Sequence, residues 1–157
     1  MTPGATSLII QACLTVALVV AAYGDIRARI IPNRLNILIA AAAPLWWWAS
    51  GLSPWPDVAV QLALATGVLL VFAGLFALGA MGGGDVKLLA ALALWFPPTG
   101  MIRLLVVMAL AGGVVTTLTL IIHRTRAKPG SPEIPYGVAI SFAAIWIIAN
   151  DVLTRAG

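Results

Sequence analysis

The chain has 157 residues, 62% of them hydrophobic and only 9% charged, with a net charge of +4. Soluble domains carry about 25% charged residues, and a core of this length cannot bury so much apolar surface, so the surrounding solvent is lipid and one domain over residues 1–157 is expected. The basic residues are too few and too dispersed for nucleic-acid binding, and the single cysteine, Cys13, excludes an intrachain disulfide and a Cys-x-x-Cys zinc site.

Six apolar segments follow one another, at residues 5–23, 35–48, 58–80, 86–96, 101–122 and 136–153. A perpendicular span needs about 20 residues. The predicted fold is therefore all-α and polytopic, with six transmembrane helices of which the second and fourth are short. The first segment has no basic residues before it and is too long for the apolar core of a signal peptide, so it is read as a retained span. Cys13 lies inside it as a small buried or lipid-facing side chain.

The loops between segments separate by charge. Arg27, Arg29 and Arg34 follow the first, Lys87 follows the third, and Arg124, Arg126 and Lys128 follow the fifth; the alternate side holds only Arg103 and Arg155. Positive-inside bias then predicts both termini outside and the first, third and fifth loops in the cytoplasm. Trp46, Trp47, Trp48, Trp55 and Trp95 fall towards the outer ends, where an indole suits the interface, whereas Trp146 falls mid-span and is expected to pack between helices. The basic loops suit anionic lipid headgroups, at about 1 kcal/mol per basic residue.

Only five residues are acidic. Asp57 and Asp151 lie near the outer side as solvated ends, and Glu133 lies in the basic fifth loop. His123 has no Cys, His or carboxylate at ligand spacing, so no metal and no cofactor are expected. Asp25 and Asp85 differ, because they sit at or within apolar spans, where an isolated carboxylate is costly. With the predicted topology both fall on the cytoplasmic side at similar depth. Two carboxyls held a few ångströms apart cannot both ionise cheaply, so one can accept a proton from water while the other polarises a carbonyl. Each also has a plainer reading: a solvated loop of Asp25, Arg27 and Arg29, and a turn with Asp85 as helix cap.

Asp85 follows Gly82, Gly83 and Gly84, which leave backbone amides unshielded and let a second backbone approach; Lys87 favours the charged carboxylate if it stays near. Pro32 and Asn33 mark the turn into the second segment. Pro135, Tyr136 and Gly137 open the last one, read either as a helix start or as a wall of the site. No P-loop, dinucleotide-binding glycine pattern or Ser/His nucleophile arrangement occurs.

Taken together, Gly82-Gly83-Gly84-Asp85-Val86-Lys87, the segment from Asp25 through Arg27, Ile31, Pro32 and Asn33, and Pro135-Tyr136-Gly137 resemble the type IV prepilin peptidases, membrane aspartyl proteases with a Gly-x-Gly-Asp motif. The resemblance implies Asp25 and Asp85 as the catalytic pair of an endopeptidase in a bacterial inner membrane. Its substrate would be a prepilin or pseudopilin precursor with a short basic leader, and its surroundings the lipid bilayer and pilus assembly machinery. Leader recognition would fall to carboxylates such as Glu133. The chain starts directly at its first span, so it resembles the short form of Flp-type (tight-adherence) pili rather than larger members with a cysteine zinc site and methyltransferase activity. Presenilin-like proteases pair Gly-x-Gly-Asp with Tyr-Asp and Pro-Ala-Leu; here Gly24 separates Tyr23 from Asp25. The competing reading is a small transporter or channel subunit, which would string carboxylates across the bilayer depth.

Overall fold

The structure, a computed structural model, describes residues 4–125 and 134–156, so Arg126, Lys128 and Glu133 lie outside the described residues. Six α-helices are found there and no strand: α1 (Ala5–Ala28), α2 (Asn33–Ser50), α3 (Ala59–Ala77), α4 (Gly83–Leu92), α5 (Pro98–Thr125) and α6 (Tyr136–Ala156), with one π-type turn (Pro54–Val58) leading into α3. Four stretches are long and apolar enough to cross a membrane: Ala5–Ala28, Pro54–Ala77, Pro98–Ile122 and Tyr136–Thr154. Large apolar side chains point outward from α3 and α5, among them Leu70, Val71 and Leu110. In water that surface would cost about 25 cal/mol per Å²; against lipid tails it costs little.

The helices differ from the expected segments in ways that matter for the site. α1 continues five residues beyond Tyr23, so Asp25 belongs to its last helical turn rather than to a loop. The helix stops where Arg29 takes a left-handed conformation (φ 55°) and donates its N–H to the Asp25 carbonyl. Pro32 caps α2, its carbonyl accepting the Leu35 and Asn36 amides. The three glycines do not break a helix. Gly82 is the N-cap of α4, and Gly83 and Gly84 form its first turn, where the low helix propensity of glycine costs least because those amides have no intrahelical partner anyway.

α4 is the centre of the molecule. It packs against α2, α3 and α6, while α1 packs on α2 and α6, and α5 on α6. With 10 residues it is about 15 Å long, half of a ~30 Å hydrocarbon layer. A helix that ends inside the bundle leaves carbonyls without intrahelical partners, which other groups can bind. Two side chains do so. Trp47 Nε1 donates to the Leu94 carbonyl at 2.7 Å. The Gln61 amide, oriented as its surroundings require, donates to the carbonyls of Ala93 (3.1 Å) and Phe96 (2.8 Å). Trp95 Nε1 in turn donates to the Ile39 carbonyl of α2 at 2.9 Å.

These bonds revise the reading of the tryptophans. Trp48 and Trp55 are exposed as an interface belt requires, but Trp95 is buried and Trp47 partly buried, both as hydrogen-bond donors to backbone. Trp146 does not pack between helices: it is 54% exposed and stacks on the equally outward Phe142. α6 instead buries Ala139, Ile140, Ala143, Ala144 and Ile147, a narrow face of small residues that admits close helix packing, which leaves the bulky aromatics to the lipid side. Cys13 is exposed on α1.

Candidate active site

Asp25 and Asp85 are 6% and 8% exposed, among the few buried polar residues of the chain. Asp25 reaches across to the start of α6, where its Oδ2 accepts the Val138 N–H at 3.2 Å and interacts with the Gly137 amide. The first turn of a helix presents free amides and the positive end of its dipole, so a carboxylate is at home there. Asp85, third residue of α4, bends back to the amide of its own N-cap, Gly82. The two carboxyl groups are near enough to each other for their charges to repel.

Glycine leaves room where the carboxylates and Ile31 come against the backbone. A Cβ on Gly137 would stand 2.9 Å from Asp25 Oδ2 and 2.7 Å from Ile31 Cδ1. A Cβ on Gly82 would stand 2.8 Å from Asp85 Oδ2. A Cβ on Gly84 would meet Ile31, with Cβ at 3.2 Å and the carbonyl oxygen at 3.4 Å. The buried Ile31, in the segment after α1, is therefore a wedge against which the starts of α4 and α6 converge. Gly83 lies instead against the Phe76 ring at the end of α3.

The remaining expected residues are arranged less directly. Lys87 does not stay with Asp85. Its Nζ donates to Asn33 Oδ1 at 2.8 Å on the exposed surface, because residues two apart on a helix do not face each other and the Lys87 side chain emerges beside the start of α2. This correction leaves Arg29 as the cation whose charge reaches Asp25. Pro32 and Asn33 are exposed, one as the cap of α2 and the other as the Lys87 partner. Pro135 is buried, and the Tyr136 ring lies against Gly112 of α5. Asn36 was absent from the expected set. It is buried, donates to the Gly84 carbonyl at 3.2 Å, and leaves its Oδ1 without a partner. Its signal was legible as an amide inside an apolar run, a position that demands a partner.

The model of the type IV leader peptidase family matches residues 12–117, which include both aspartates. The chain belongs to the type IV leader peptidase family. The match ends before Pro135, so the contact of Asp25 with α6 lies beyond it. Neither a curated protein nor a solved structure matches the chain. For a member of a peptidase family, two buried carboxyls at the ends of neighbouring segments are the chemistry of interest. Among the described residues no group of His, Cys, Asp and Glu could hold a metal ion.

Proposed function

We propose that this leader peptidase is a membrane aspartyl endopeptidase that removes the leader from type IV pilin-like precursors at the cytoplasmic face, through an Asp25/Asp85 dyad. The observation that carries the proposal is the meeting of two buried carboxyls at a junction walled by Gly82, Gly84 and Gly137. The ionised member takes a proton from water, and the water oxygen bonds to the scissile carbonyl carbon. The protonated member gives its proton to the carbonyl oxygen. Collapse of the tetrahedral species returns a proton to the departing amine as the C–N bond breaks, with no covalent enzyme intermediate. The pair titrates as a unit rather than as two separate acids.

The same reading places six spans in a bacterial cytoplasmic membrane with both termini outside. It rests on seven Lys/Arg on one side against two on the other. α2 and α4 are its short spans. Pilin-like precursors, pseudopilins among them, are the proposed substrates and the pilus assembly machinery the proposed partner.

The test is cleavage of a pilin precursor in membranes carrying Asp25→Asn or Asp85→Asn. Each variant should fold and lose cleavage. Near-normal cleavage by both would end the dyad proposal.

A further inference from the structure

α2 packs on α4, and two polar bonds join the first turn of one to the first turn of the other. Asn36 Nδ2 donates to the Gly84 carbonyl at 3.2 Å, and Lys87 Nζ donates to Asn33 Oδ1 at 2.8 Å. Asn33 and Asn36 are three positions apart on α2, as Gly84 and Lys87 are on α4. Residues at that spacing share a helix face, so both bonds run between one face of each turn. A single bond would leave a pivot. Two bonds about one turn apart fix both the height and the roll of α4 on α2. Asp85 lies between the two points of attachment.

Stability does not account for these bonds. Gly84 is not among the last four residues of α4, so its carbonyl has a partner within the helix without Asn36. Asn36 is 4% exposed, and its Oδ1 has no partner among the described residues. That lost hydration offsets what its Nδ2 gains. The Lys87 bond lies on the exposed surface, where water competes for donor and acceptor alike. Both bonds instead meet the turn that carries Asp85, and they reach it from a helix tied to Asp25. Only residues 29–32 separate α2 from α1, whose last turn holds Asp25.

We propose that Asn33, Asn36 and Lys87 are positioning residues for Asp85, a two-point latch that references α4 to the chain segment carrying Asp25 and so sets the approach of the two carboxyls. The proposal rests on the dyad reading given above. Loosening the latch leaves precursor binding in place and slows the chemical step, because a displaced acid or base lowers the rate without removing contacts to substrate.

The purified full chain is assayed with a pilin precursor for kcat and KM, beside Asp85→Asn, and each variant is unfolded in detergent. Lys87→Met and Asn36→Leu should each lower kcat about three- to tenfold with KM and the unfolding midpoint unchanged, the scale of a catalytic group displaced by a fraction of an ångström. The exchange of Asn33→Lys together with Lys87→Asn carries the same donor and acceptor across the same gap, and should return kcat to within about twofold of the parent protein. Unchanged kcat in both single variants, with Asp85→Asn inactive, overturns the proposal alone. So does a rise in KM without a fall in kcat, which assigns Lys87 to the substrate. A folded exchange variant no faster than Lys87→Met overturns it as well. Cleavage by Asp85→Asn overturns the dyad reading and this proposal with it.

Discussion

Gly137→Ala tests how the site is held together. The added methyl would stand 2.9 Å from Asp25 Oδ2 and 2.7 Å from Ile31 Cδ1. A carbon–oxygen contact relaxes to about 3.3 Å, so the carboxylate must retreat roughly 0.4 Å from the start of α6. Its bond from the Val138 amide is already 3.2 Å, and that retreat carries it past the hydrogen-bond limit of roughly 3.5 Å. Overpacking costs about 1–3 kcal/mol, and a displaced catalytic group costs up to about 100-fold in rate. The expected result is a loss of about 1–3 kcal/mol in stability and about 10–100-fold in precursor cleavage. The double variant with Ile31→Val separates the two contacts, because valine lacks Cδ1 while the clash with Asp25 persists. Stability, followed by denaturant unfolding in detergent, should largely return in the double variant, and cleavage should not. Recovery of both by Ile31→Val would refute the reasoning, since the aliphatic clash alone would then account for the defect.

Three further outcomes are expected. Gln61→Leu removes the donor to two carbonyls at the end of α4 and should destabilise by about 1–3 kcal/mol for each carbonyl left unpaired, measured by unfolding in detergent. Asn36→Leu should lower cleavage more than stability. It frees the Gly84 carbonyl, and with it the turn that carries Asp85, but removes the unpartnered Oδ1; a larger loss of stability than of cleavage would make Asn36 a packing residue only. Trp146→Leu should shift stability by less than about 0.5 kcal/mol, the usual range for outward positions, because the ring faces outward rather than into the bundle.

The helices were legible because long apolar runs have few other solutions in lipid, and the aspartates because a carboxylate in an apolar run is rare enough to require a reason. The limits of the helices were less so. α1 runs on through Asp25 because its last turn is covered by α6, a contact between residues 113 positions apart. Lys87 turned to Asn33 rather than to Asp85 because residues two apart on a helix do not face each other, a consequence of spacing that follows only once α4 is seen to start at Gly83. Trp146 looked like a core residue by its depth, yet depth and burial are independent in a membrane, where the outward face is as apolar as the core. The donors of Trp47 and Gln61 could be read as polar atoms in an apolar chain, but their acceptors follow only from where α4 stops.

The short central helix and the pair of carboxyls are parts of one solution. A carboxylate deep in an apolar protein needs a partner, and a lysine or arginine bonded directly to it would hold it ionised, which suits a structural ion pair better than proton transfer. Backbone amides satisfy the oxygens without a full countercharge. Free amides occur at helix starts, so each carboxyl needs a helix that begins beside it. α6 begins at Asp25, and α4 begins at Asp85 only because it is short enough to start and stop within the bundle. The cost of that interruption falls at the other end of α4, on carbonyls that Trp47 and Gln61 must bind. Lengthening α4 by a turn at its C-terminal end would satisfy those carbonyls internally but would make Trp95 part of the helix and re-aim the indole that now bonds the Ile39 carbonyl. The polar pins at one end of α4 therefore fix the depth of the aspartate at the other.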